Sequence, residues 1–88
     1  MINLSNLLER SVADDTMICV IGKNKVGETR MLFYGTALEA YRSRRVLDYY
    51  WYRDIVNIEP KAKKHDGKMS LCLVLTVFCE YGFKDERN

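Results

Sequence analysis

The stretch that most constrains the fold is residues 69–78, MSLCLVLTVF. In an extended chain, successive side chains point to opposite faces. Met69, Leu71, Leu73, Leu75 and Val77 then share one face. Ser70, Cys72, Val74, Thr76 and Phe78 share a second, mixed one. A strand with apolar residues on both sides belongs in the interior of a sheet. The chain has 88 residues, which is one domain at roughly 100–200 residues per domain. A chain this short buries only about two thirds of its unfolded surface. The sequence therefore reads as a single domain over residues 1–88, built on one sheet, with residues 80–88 as a polar, frayed tail.

The remaining elements follow from local pattern. Leu4, Leu7 and Leu8 fall at i, i+3, i+4 and make one apolar stripe, with Asn3 placed as a cap. Two helical turns hold only if docked. Asp14 and Asp15 turn the chain. Residues 16–21 and 28–34 are β-forming, and the loop between them begins and ends in glycine, so a hairpin is expected. In the second of these strands Thr29, Met31 and Phe33 fall on one face, and Arg30, Leu32 and Tyr34 on the other. Thr36 and Glu39 have capping-box spacing and open a helix over 36–42. Ser43 is placed to cap a further turn carrying Val46 and Leu47. The aromatic run Tyr49, Tyr50, Trp51, Tyr52 leads into a third strand over 52–59, ended by Pro60. Residues 61–68 read as a basic connector with Asp66-Gly67 as its turn. The fold class predicted is α+β: a four-stranded antiparallel sheet, strongly curled, with two or three short helices packed on it.

Charge separates some functions from others. Lys and Arg number 14 and Asp and Glu 12, a formal net charge of +2. That is small for a nucleic-acid binder and of the wrong sign for an acidic mimic of DNA. The middle of the chain, 41–68, holds the basic excess: Arg42, Arg44, Arg45, Arg53, Lys61, Lys63, Lys64 and Lys68, against Asp48, Asp54, Glu59 and Asp66. No run of about 18 apolar residues marks a membrane span. The first residues lack the basic start of a signal peptide. A cytoplasmic protein is expected, with Cys19, Cys72 and Cys79 as reduced thiols.

No catalytic constellation emerges. Residues 22–27 have the form Gly-x-x-x-x-Gly but lack the Lys-Ser/Thr that completes a phosphate loop. The cysteines form no CxxC pair, and His65 stands alone, so no metal or other cofactor is expected. Asp54 and Glu59 would point to opposite faces of their strand, which does not suit paired acid–base work. The expectation is a non-enzymatic protein.

Two binding readings remain. Tyr49, Tyr50, Trp51 and Tyr52 sit beside Arg44, Arg45 and Arg53, and Tyr, Trp and Arg are the residues enriched at interface hot spots. If extended, four consecutive aromatics cannot all point inward, so a protein-binding surface is read there, for a host or phage protein or a second copy of the chain. The alternative is a small nucleic-acid-binding protein, with Arg42, Arg44, Arg45, Lys61, Lys63, Lys64 and Lys68 along a phosphate backbone.

Several of these features together resemble small accessory proteins of phages and prophages of Gram-positive bacteria. They are the Leu-Leu helix (Leu4, Leu7, Leu8), the Asp14-Asp15 turn, the Tyr34-Gly35 step that ends a hairpin, and Val56, Ile58 and Pro60 in a later strand. The resemblance runs over about residues 3–78. It implies a protein-binding accessory role, in some such proteins the inhibition of a bacterial defence component, or a structural, self-associating role. It brings no catalytic residues.

The cysteine reading gives the first prediction. Freshly isolated protein should show the same intact mass with and without reduction, and should take three alkyl groups once unfolded. A reproducible two-dalton deficit before reduction would overturn it.

Overall fold

The computed structural model describes residues 2–83, apart from the side chains of Lys63 and His65. The elements are helix α1 (Leu4–Arg10), strand β1 (Met17–Lys23), strand β2 (Thr29–Thr36), helix α2 (Ala37–Ala40), a π-helical turn (Val46–Tyr50), strand β3 (Ile55–His65) and strand β4 (Lys68–Phe78). This is an α+β fold with one four-stranded sheet and a few short helices.

Each local signal has its physical counterpart. The first turn of α1 satisfies its four orphan N–H groups. Leu4 N donates to Arg53 O at 3.1 Å and Ser5 N to Trp51 O at 2.8 Å, and the cap's own Asn3 N donates to Asn6 Oδ1 at 3.4 Å. Asn6 N donates to Asn3 Oδ1 at 2.9 Å. At α2 the capping box forms: Thr36 N donates to Glu39 Oε1 and Glu39 N to Thr36 Oγ1. Those bonds, the backbone one first, hold the Glu39 carboxyl below its ordinary range. The Asp14-Asp15 turn acts through its backbone here, since Asp14 O accepts from Leu38 N at 3.0 Å.

The sheet order is β2-β1-β4-β3. Both expected hairpins form, and β4 is interior. The expectation of an all-antiparallel, strongly curled sheet is corrected: β1 and β4 pair in parallel, from Ile18↔Leu73 to Lys23↔Phe78, and the sheet is open. The reason lies in the connection. β2 ends beside Met17, whereas β3 begins beside Val77, at the other end of the sheet. Residues 37–54 therefore climb back along the sheet before β3 starts, and a long crossover of this kind is what parallel neighbours need.

Three further expectations are corrected. Pro60 does not end β3, which runs to His65. β3 is an edge strand, and there a residue whose N side faces outward needs no N–H. Residues 61–65 are thus strand, not connector. Asp66 and Gly67 have φ of 51° and 77°, the left-handed pair of a type I′ hairpin turn. In β2, Val20 pairs with Phe33 and Ile21 with Met31, so Leu32 is an extra residue. That bulge breaks the alternation. Leu32 and its neighbour Phe33 both pack on the core, against the opposite faces that simple alternation assigned them.

The core lies between the helices and one face of the sheet. It joins Leu4, Leu7 and Leu8 to Ala37, Ala40, Val46, Tyr50 and Trp51, and to Ile18, Val20, Leu75 and Val77. Cys79 is part of it, while Cys19 and Cys72 are buried on the other face. All three thiols are free.

The apolar face of β4 does not stay buried along its length. Leu75 and Val77 are fully covered, Leu73 is half-buried, and Leu71 and Met69 are exposed. Leu75→Ala should cost about 2–5 kcal/mol. Leu71→Ala, in the same strand and on the same face, should stay within about 0.5 kcal/mol of the parent. Equilibrium denaturation of the two variants reads the difference, and equal losses would contradict this placement of the core.

Candidate functional site

The aromatic run lies in the π-helical turn and the turn that follows it, with Tyr52 outside the strand it was expected to begin, and this decides which of its members can meet a partner. In the π-helical turn and the turn that follows, consecutive residues Tyr50 and Trp51 both point into the core, where Trp51 meets the Tyr41 ring edge-on at 5.3 Å. Tyr49 and Tyr52 stay at the surface, exposed to 45% and 75%. An extended chain would instead put Tyr49 with Trp51 on one face and Tyr50 with Tyr52 on the other. Tyr50 and Trp51, named from the sequence for a contact surface, are therefore buried, which leaves Tyr49 and Tyr52 as the exposed rings of the run.

The arginines divide in the same way. Arg44 is solvated and forms an exposed pair with Asp48 at 3.2 Å, an arrangement worth little to stability. Arg45 is half-buried and reaches Leu32 O in β2 at 3.5 Å. Arg53 is the arginine built into the aromatic surface. Its Nε donates to Tyr49 O at 3.3 Å, and its guanidinium lies 5.7 Å from the Tyr81 ring centre. Leu47, Asp48, Tyr49, Trp51, Tyr52 and Arg53 line a shallow pocket of about 230 Å³.

Tyr81, exposed to 77%, was missed by the sequence reading because it lies in a polar stretch. The signal was there: two aromatics, Tyr81 and Phe83, on either side of Gly82. Of the segment expected to fray, residues 84–88 lie outside the described residues. The part up to Phe83 rests on the fold. Cys79 N donates to Lys23 O at 2.8 Å, and Arg30 stacks on Phe83 at 4.9 Å. Phe83 Cε1 also lies where a side chain at Gly22 would need room, 2.9 Å from the position of a Cβ.

The basic residues named for nucleic acid do not form one patch. Arg45 is anchored on β2, whereas Lys61, Lys63, Lys64 and Lys68 belong to the β3–β4 hairpin. β1 lies between, so the two groups stand at opposite edges of the sheet. Lys61, Lys64 and Lys68 are exposed.

Other candidate chemistry finds little support in the geometry. In the 22–27 loop Asn24 draws the backbone amides to itself: Val26 N and Glu28 N donate to its Oδ1, and Gly27 N to its carbonyl. Those amides are not turned outward as a phosphate cradle needs. Gly27, at φ 88°, closes the loop as the left-handed residue after a type I turn. Burial pushes the Cys79 thiol up, with Arg53 and the bond to Lys23 opposing, and a buried thiol that stays protonated is a poor nucleophile. Among the described residues no three His, Cys, Asp or Glu side chains gather as metal ligands. No helix among them is long and apolar enough to cross a membrane. Comparison with protein-family models, curated proteins and solved structures finds no match.

The division of the aromatic run is directly measurable. Tyr50→Ala and Trp51→Ala should each destabilise the fold by about 3–5 kcal/mol, while Tyr52→Ala should shift stability by no more than about 0.5 kcal/mol. Thermal or urea melts of the three variants check this, and a large loss for Tyr52→Ala would reverse the assignment.

Proposed function

We propose that the protein is a non-enzymatic protein-binding module that acts through Tyr49, Tyr52, Arg53 and Tyr81. The carrying observation is Arg53, held between the Tyr49 carbonyl and the Tyr81 ring, among three tyrosines exposed at one surface. Tyr offers large contact area at low conformational cost. An arginine already fixed in place loses less freedom on binding than a free one. The shallow pocket between Leu47 and Arg53 gives a partner side chain a place to enter.

The resemblance to phage and prophage accessory proteins supports a bacterial protein as the partner, with a cytoplasmic defence component the first to test. Inhibition would then follow from occupying that protein's own contact surface. The nucleic-acid reading is less well supported, because the basic set is split across the sheet.

The test places a photoreactive benzoylphenylalanine at Tyr52, and for comparison at exposed Val26, in the bacterial host. A discrete adduct from position 52 and none from 26 is expected. Alanine at Tyr52, Arg53 or Tyr81 should then cost at least ~2 kcal/mol of affinity for the captured protein in one or two of the three variants. An adduct at twice the chain mass would make the surface a homodimer contact, and a nuclease-sensitive adduct would restore the nucleic-acid reading. Equal labelling at 52 and 26 would remove this surface from consideration.

A further inference from the structure

The two open edges of the β3–β4 hairpin are built differently. The outer edge, β3, carries Pro60, Lys61, Lys63 and Lys64, the residues by which natural sheets discourage further pairing. The inner edge, the start of β4, is the segment Lys68–Cys72. Among the described residues β1 pairs with β4 only from Leu73 onward. β1 starts at Met17, level with Cys72, so among the described residues the β1 position in the sheet is vacant beside Lys68–Leu71, four residues or about 13 Å at the strand rise.

The main chain facing this vacancy can be assigned. Phe78 N donates to Asp54 O on the β3 side, and Cys79 N donates to Lys23 O on the β1 side. Main-chain groups alternate between the two neighbours along a strand, and the register of β4 is unbroken from Lys68 to Thr76. Met69 and Leu71 therefore turn their N–H and C=O groups into the vacancy. The same two residues are 66% and 72% exposed. Lys68 precedes Met69, and Lys64 stands opposite it in the hairpin. Alternation puts Lys64 on the Met69 face and Lys68 on the opposite one, so one ammonium group stands on each face of the open end, while Asp14 and Asp15, just before β1, close the other.

We propose that this vacancy is a strand-docking site for an extended segment of a partner protein. The segment adds beside β4 in line with β1, with apolar side chains against Met69 and Leu71 and, on the opposite face, an acidic residue beside Lys68. Strand addition of this kind takes its affinity from main-chain hydrogen bonds and its specificity from alternate side chains. A second copy fits less well. Antiparallel pairing centred on Ser70 would drive the Asp66-Gly67 turn of one chain against the end of β1 in the other. The site is independent of the tyrosine surface: the two lie at opposite ends of β4, about 23 Å apart along the strand.

The test uses two blocked pentapeptides, Glu-Val-Thr-Val-Thr and Lys-Val-Thr-Val-Thr, titrated into the labelled full chain and followed by amide resonances. The acidic peptide should shift Met69 and Leu71 and slow their amide hydrogen exchange at least tenfold, and should bind at least tenfold more tightly than the basic one. Leu71→Pro removes one inward N–H while leaving the bonds to β3, and should abolish the shifts with the far-ultraviolet spectrum unchanged. If that variant does not fold, Leu71→Glu, which removes the apolar contact at an exposed position and repels the acidic residue, should weaken binding at least tenfold. Equal binding of both peptides, or shifts centred elsewhere, overturns the proposal. So do Met69 and Leu71 shifts that grow with protein concentration alone, which would place a second copy there. Salt-sensitive shifts on the hairpin with duplex DNA, and none with peptide, would overturn it in favour of phosphate contacts.

Discussion

The carbonyls of Trp51 and Arg53 accept the first amides of α1, and the rest of the fold depends on that junction. A helix of two turns has no stability of its own, so α1 exists because its amides are taken up and its leucines are covered. The residues that present those carbonyls also carry Tyr50 and Trp51 into the core. From the same segment Ile55 N reaches back to Ile2 O, and Asp54 O accepts from Phe78 N. N-terminus, crossover, β3 and the end of β4 therefore meet around residues 51–55. Loss of either buried aromatic would loosen all four at once.

That junction also explains the placement of the tyrosine surface. A segment fixed by main-chain bonds on its inner side presents its outward side chains in set positions. Tyr49, Tyr52 and Arg53 inherit this order, and the docked end of the chain brings Tyr81 to join them. The opposite end of the molecule has another character. There the β3–β4 hairpin runs past β1 and past the helix layer, so lysines and apolar side chains are exposed together. One sheet thus supports a braced aromatic surface at one end and an unfinished strand edge at the other.

Local chemistry was legible in the sequence wherever the information is local. The Asn3 cap, the Thr36/Glu39 capping box, the Asp66-Gly67 turn, both hairpins and the interior position of β4 depend on residues within a few positions of each other. The leucine stripe of α1 fixed which side must be buried. Tertiary structure alone decided the rest. The parallel β1–β4 pair depends on where the crossover delivers β3, and no short window records that. Pro60 stops a strand only if its neighbours need its N–H, so the edge position had to be known first. The aromatic run reads as alternating until the wider π-helical turn sends two consecutive rings inward. The bulge at Leu32 likewise redirects a side chain because of its partner strand, not because of its own sequence neighbours. Spacing and composition set the elements; the order in which they met, with burial as the driving force, chose which tyrosines and lysines stayed at the surface.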